Sequence, residues 1–213
     1  MFYDLPSMAH QSDPFFRAFH ALRIKGFAKA EVVAEVADLP PSLVEQHLAD
    51  LQGREWAMFR EARQLWQLTP VGREEHKIAL AEDVGHLNIA DELRADYQAF
   101  ITINEEFKAL CGDWQLRDGA TNDHSDAAYD KDVVGRLVAL DIAARPVVNK
   151  MGMVLARLAP YEARLEATCQ RVVAGETNMF TGVMCGSYHD VWMELHEDLI
   201  LTQGIDRSAE GSF

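Results

Sequence analysis

Asp38-Leu39-Pro40-Pro41 is the feature that most restricts what this chain can fold into. Two consecutive prolines remove two backbone donors, and each disfavours helix in the residue before it, so no helix runs through this point. Both flanks nevertheless read as helix. Ala28–Ala37 carries Val32, Val33 and Val36 at helical spacing, and from Pro41 to about Gln52 Val44, Leu48 and Leu51 share one face. Two short helices must therefore meet across a tight turn. The second presents Ser42, Glu45, Gln46 and Ala49 opposite its apolar stripe. An earlier helix, Asp13–Lys25, opens on Asp-Pro, carries Phe15, Phe16, Phe19 and Leu22, and ends at Gly26.

After Gly53, the apolar runs Trp56–Phe59 and Gln64–Leu68 flank the polar link Arg60–Arg63. That pattern predicts a β-hairpin, although the link lacks the glycine that tight turns favour. Leu68-Thr69-Pro70-Val71-Gly72-Arg73 then starts a helix: Thr69 caps it, Pro70 takes its first position, and Glu74 and Glu75 complement its dipole. Helix, helix, PSLVEQHLADLQGREW, two short strands and LTPVGR, over roughly residues 14–77, resemble the winged helix-turn-helix domain of MarR-like bacterial transcriptional regulators. The resemblance implies duplex DNA as a partner and a homodimer reading paired half-sites. One departure is plain, since the second helix of the pair holds Glu45 and Asp50 but no Lys or Arg before Arg54. Base reading would fall to Gln46 on adenine and Glu45 on cytosine, with Ser42 on base or phosphate, and Arg60 and Arg63 at the wing tip. The competing reading is a solvated helix face and turn, on an adaptor that meets a protein rather than DNA.

The formal charge of −14 argues against nucleic acid only until its distribution is read. Residues 1–77 hold nine Lys and Arg against eleven Asp and Glu, a balance of −2; residues 78–213 hold eleven against twenty-three, a balance of −12. The acidic excess belongs to the second part, so a DNA-binding first part remains electrostatically open.

Helices are expected almost throughout that second part: Pro70–Asp83, Asn88–Cys111, Lys131–Ala144 with a break or kink at Pro146 before continuing to Leu158, Pro160–Gly175, and Ser187–Gln203. Gly112–Tyr129 reads as a long polar loop, Thr177–Cys185 as irregular and Arg207–Phe213 as a loose tail. The segments YEARLEATCQRVVAGE and SYHDVWMELHEDLILTQGIDR are similar to the helical C-terminal region of certain actinobacterial and proteobacterial regulators, which implies a sensing or dimerising role.

The last helix carries the chemistry. His189, Trp192, Met193, His196 and Ile200 share about a third of its circumference, while Asp190, Glu194, Glu197 and Asp198 lie opposite and are expected to face water. The two histidines are buried hydrogen-bonded imidazoles, or polar anchors of a ligand pocket, or metal ligands. The metal reading needs a third ligand, for which His124 and Asp126 are available, and an i,i+7 spacing sets the two backbones roughly 10 Å apart. The pocket reading places an effector between this helix and Asn88–Cys111, with Tyr97, Tyr188, Trp192 and Met193 as walls beside His189 and His196.

No nucleophile elbow, phosphate loop or HExxH occurs, so an enzyme is not expected, nor a metal or other cofactor. Cys111, Cys169 and Cys185 lack CxxC spacing and read as buried small hydrophobes in a reducing cytoplasm, and no signal segment or membrane span is expected. The chain thus reads as mainly α: a winged helix-turn-helix with a small β-hairpin wing over 1–77, then an acidic all-α domain over 78–213. It is expected to be a cytoplasmic, homodimeric regulator that binds double-stranded DNA and a small molecule.

Overall fold

The computed structural model describes residues 8–205 apart from His86; the tail expected at Arg207–Phe213 lies outside them. Among the described residues the chain is mainly helical, with a three-stranded antiparallel sheet near its start. The order is α1 (Pro14–Lys25), β1 (Phe27–Ala28), α2 (Ala30–Ala37), α3 (Pro41–Gly53), β2 (Ala57–Arg60), β3 (Leu65–Leu68) and α4 (Pro70–Val84). There follow α5 (Ile89–Gln115), β4 (Leu116–Arg117), β5 (Ala120–Thr121), α6 (Ala127–Val154), α7 (Pro160–Val173), α8 (Asn178–Thr181) and α9 (Tyr188–Gln203). No helix among the described residues is long and apolar enough to cross a membrane.

Asp13 caps α1 through its side chain, and α2 stops where Asp38 turns left-handed at φ 50° ahead of the two prolines. In the first sheet β3 is central, pairing with β2 (Phe59 opposite Trp66) and with β1 (Phe27 opposite Gln67). Strand β1 replaces the first residues of the helix expected from Ala28. Its two residues are too few to show alternation, and its partner lies about forty positions away in sequence. The β2–β3 turn closes without glycine because Gln64 itself takes the left-handed conformation (φ 53°) and its side chain donates to the Glu61 carbonyl.

The start of α4 explains the Thr-Pro-x-Gly spacing. The Thr69 hydroxyl accepts from the Gly72 amide (3.0 Å) and donates to the Glu55 carbonyl (2.7 Å), tying the helix start to the link between α3 and β2. Gly72 passes so close to Trp56 that a Cβ would lie 1.9 Å from its carbonyl oxygen. Gly72→Ala must therefore push two backbones apart. It is expected to cost about 2 kcal/mol in urea unfolding, whereas Val71→Ala, at an exposed neighbour, should change stability by less than about 0.5 kcal/mol.

Two apolar clusters are buried. The first gathers Phe19, Leu22, Val33, Val44, Leu48 and Leu51 around the three leading helices and the sheet. The second gathers Leu93, Phe100, Phe107, Leu137, Met151 and Trp192 between α5, α6 and α9. Helix α4 spans them, with Ala79 on the first and Val84 on the second.

Three expected features of the second part are corrected. Helix α5 runs on to Gln115, because Trp114 is buried and extends its apolar stripe. The supposed long loop is a short hairpin, pinned where Asn122 donates to the Trp114 carbonyl and to Asp130. Helix α6 does not break at Pro146: both Pro146 and Ile142, whose carbonyl loses its donor, are exposed, so water can serve that group.

Candidate functional site: an exposed helix face, a histidine-lined cleft and the seam between them

Val44, Leu48 and Leu51 root α3 in the first cluster, which turns Ser42, Glu45 and Gln46 outward into solvent. Arg60 ends β2 and Arg63 lies in the following turn; both are exposed. The five residues read as DNA contacts are thus all accessible. They sit on a surface of mixed sign, with Asp50 and Glu61 also exposed. Arg54 is engaged differently, its guanidinium lying over the Phe15 and Trp56 rings (4.9 and 5.0 Å).

The six residues read as ligand contacts do not stay together. His189, Met193 and His196 line an open cleft of about 350 Å³ between α5 and α9. Trp192, Tyr188 and Tyr97 do not; they are buried behind it. Trp192 stacks on Phe100 and donates its indole N–H to Asn104 (2.9 Å). Tyr188 points at Asp141, itself held by Arg145, and burial raises its phenol far above the ordinary value. Tyr97 packs in the second cluster, its hydroxyl buried without a hydrogen-bond partner among the described residues. Large rings at helical spacing went to the core because burying them gains more than lining a wet cleft.

Asn104, Phe107 and Lys108 supply the α5 wall of the cleft and were missed from sequence. Asn104 had left a sign, a polar residue at i+4 from Phe100 on an apolar stripe. Burial holds the His189 imidazole below its ordinary value, with Asp190 pulling the other way. Its Nδ1 is buried and makes no hydrogen bond among the described residues.

The acidic face of α9 is the largest correction, because it does not face water. Glu194 and Asp198 are buried at 5% and 2% exposure. Glu194 takes Lys25 (2.5 Å) and Arg164 (2.7 Å), and Glu197 takes Arg23 (3.1 Å). Asp198 lies 3.1 Å from His20 and 3.3 Å from Arg157 and accepts from Thr202. His20 in turn meets His76 (2.8 Å), while Arg157 also reaches Asp83 (3.4 Å). Residues of α1, α4, the turn before α7, and α9 thereby share one buried ionic seam between the two clusters. Arg157 and His20 hold the Asp198 carboxyl well below the usual range despite its burial. Burial, with His20 and Arg23 adding to it, pushes His76 down to about 2.

A wider groove of about 800 Å³ runs along this seam. Lys29 and Arg164 border it together with Glu35 and Glu197, so both signs line it. Met193 borders both this groove and the cleft. His124 and Asp126 are occupied elsewhere, the former against Asp130 (3.0 Å), the latter capping α6. Among the described residues no three His, Cys, Asp or Glu side chains are grouped to hold a metal ion. Cys169 is buried and Cys111 partly so, whereas Cys185 is exposed, contrary to expectation. Burial pushes the Cys111 thiol up to about 12.

Comparison of the chain with protein-family models, with curated proteins and with solved structures finds no match.

Proposed function

We propose that the protein is a DNA-binding transcriptional regulator, with a winged helix-turn-helix within residues 1–77 and a helical part that senses a small molecule and dimerises. The observation that carries this reading is the order α1-β1-α2-α3-β2-β3 closed by a β1-β3-β2 sheet, with the outer face of α3 and the hairpin turn left free. A helix held by one apolar stripe, with short polar side chains outward, can lie in a major groove, and a basic hairpin tip can reach adjacent phosphate or minor groove. The acidity of the chain is tolerable there because its excess lies beyond residue 77.

Changing Arg60 and Arg63 together to alanine is the direct test, since both are exposed and removing them should leave stability within about 0.5 kcal/mol. On a duplex selected from a random pool, the double variant should bind more weakly. Its slope of log affinity against log salt should be flatter by up to ~2. An unchanged slope and affinity would remove the wing from the DNA contact. The adaptor reading draws on the absence of Lys and Arg from the outer face of α3, and selection that enriches no duplex would favour it.

A further inference from the structure

In a chain of net charge −14, the lining of the α5/α9 cleft contains no Asp or Glu among the described residues. Its polar members are Lys108, His189, His196, Asn104 and Gln115, all able to donate hydrogen bonds. Phe107, Cys111 and Met193 supply apolar wall. The neighbouring carboxylates are committed. Asp190 accepts from the Cys185 and Gly186 amides (2.8 and 3.0 Å), and Glu105 pairs with Lys108 on the exposed side (3.2 Å), an i,i+3 pair worth little in water. Asn104 gives its oxygen to Trp192, and its amide nitrogen makes no other hydrogen bond among the described residues.

We infer that this cleft binds a small organic anion, an acidic group on an apolar body, with Lys108 as its fixed cation and His189 and Asn104 as donors. The size fits, since about 350 Å³ lies in the range of small-molecule sites. Charge complementarity favours an anion over a neutral or cationic ligand, because hydrogen bonds from these donors are stronger to an ionised acceptor. The wider groove makes no such selection, being lined by both signs. The inference deepens the sensing role proposed above and rests on it. It also gives that role a route: α9 offers His189 and His196 to the cleft while Glu194, Glu197 and Asp198 on its other side hold α1.

The test uses the full chain without DNA, titrated calorimetrically with naphthoate, the neutral naphthylmethanol and the cationic naphthylmethylamine. Naphthoate should bind at least about tenfold tighter than either. Lys108→Met, at a partly exposed position, should abolish that preference while leaving the weak binding of the alcohol unchanged. Comparable affinity for all three, no binding of naphthoate, or a preference that survives Lys108→Met would overturn the inference. So would naphthoate binding that weakens as protein concentration rises, since a second copy of the chain would then be covering the cleft. Failure of DNA selection would leave these titrations standing, and their failure would leave the DNA reading standing.

Discussion

Replacing Asp198 by alanine is expected to lower the thermal midpoint of unfolding by roughly 10 °C. The carboxylate is 2% exposed and balances both Arg157 and His20, so removing it strands a buried guanidinium whose remaining acidic partner is Asp83 at 3.4 Å. Breaking a buried pair from one side typically costs ~3–5 kcal/mol, most of it the desolvation of the charge left behind. Truncation to Ala also opens a small void, but that part is minor for a side chain of this size. The two contributions separate in a second variant. Asp198→Leu combined with Arg157→Met removes both charges and keeps volume, and should be more stable than Asp198→Leu alone. If the double variant is the less stable of the two, Asp83 and Thr202 hold the Arg157 guanidinium well enough without Asp198. If Asp198→Ala unfolds within about 2 °C of the parent, the seam does not hold the two clusters together.

Acid should loosen the same seam. The folded protein holds His76 near 2, against an ordinary value of 6.5. As pH falls below about 6.5 the unfolded chain takes up a proton at this imidazole that the folded chain refuses. Stability from this group is therefore complete above that point and declines below it, by about 1.4 kcal/mol per pH unit, until the folded value is approached. By pH 5 the loss from His76 alone is about 2 kcal/mol. The groups around it explain the direction: Phe16 and Phe19 pack on its ring, and His20, Arg23 and Arg157 oppose a positive charge there, with only Asp198 favouring one. His189, also held below its ordinary value by burial, adds a loss of the same sign. Asp198, depressed by Arg157 and His20, begins to lose its contribution only as pH drops below about 3.8. Urea unfolding at stepped pH should show this decline beginning well above the carboxylate range. His76→Gln keeps a neutral donor toward His20 and should flatten most of the slope between pH 7 and 5, whatever it does to the baseline. A slope that survives His76→Gln intact would assign the acid sensitivity to another group.

Much of the N-terminal architecture was legible because it is written in local chemistry. The double proline after Leu39 forces the α2–α3 turn, Asp13 and Thr69 cap the helices they precede, and the stripe of Val44, Leu48 and Leu51 settles which face of α3 is free. Each of these depends on residues within a few positions of one another, which is the range over which periodicity and capping operate. Strand β1 was not legible for the opposite reason, since two residues become a strand only through a partner far along the chain.

The α9 helix marks the same limit at the candidate site. Its period placed His189, Met193 and His196 on one side and the carboxylates on the other, and that division holds in three dimensions. What periodicity could not say is what each side meets. An acidic face is ordinarily solvated, and burying it is favourable only where cations stand opposite; here they come from Arg23, Lys25, Arg157 and Arg164, between thirty and about one hundred and seventy positions away. The sequence by itself determined the longer helices, the β2–β3 hairpin and the sorting of α9 into two faces, because neighbours in the chain suffice for those. Only the tertiary structure decided that one face closes a seam between two cores and the other opens on a cleft, because a buried charge is defined by its partner, and the partner's place is a property of the whole fold.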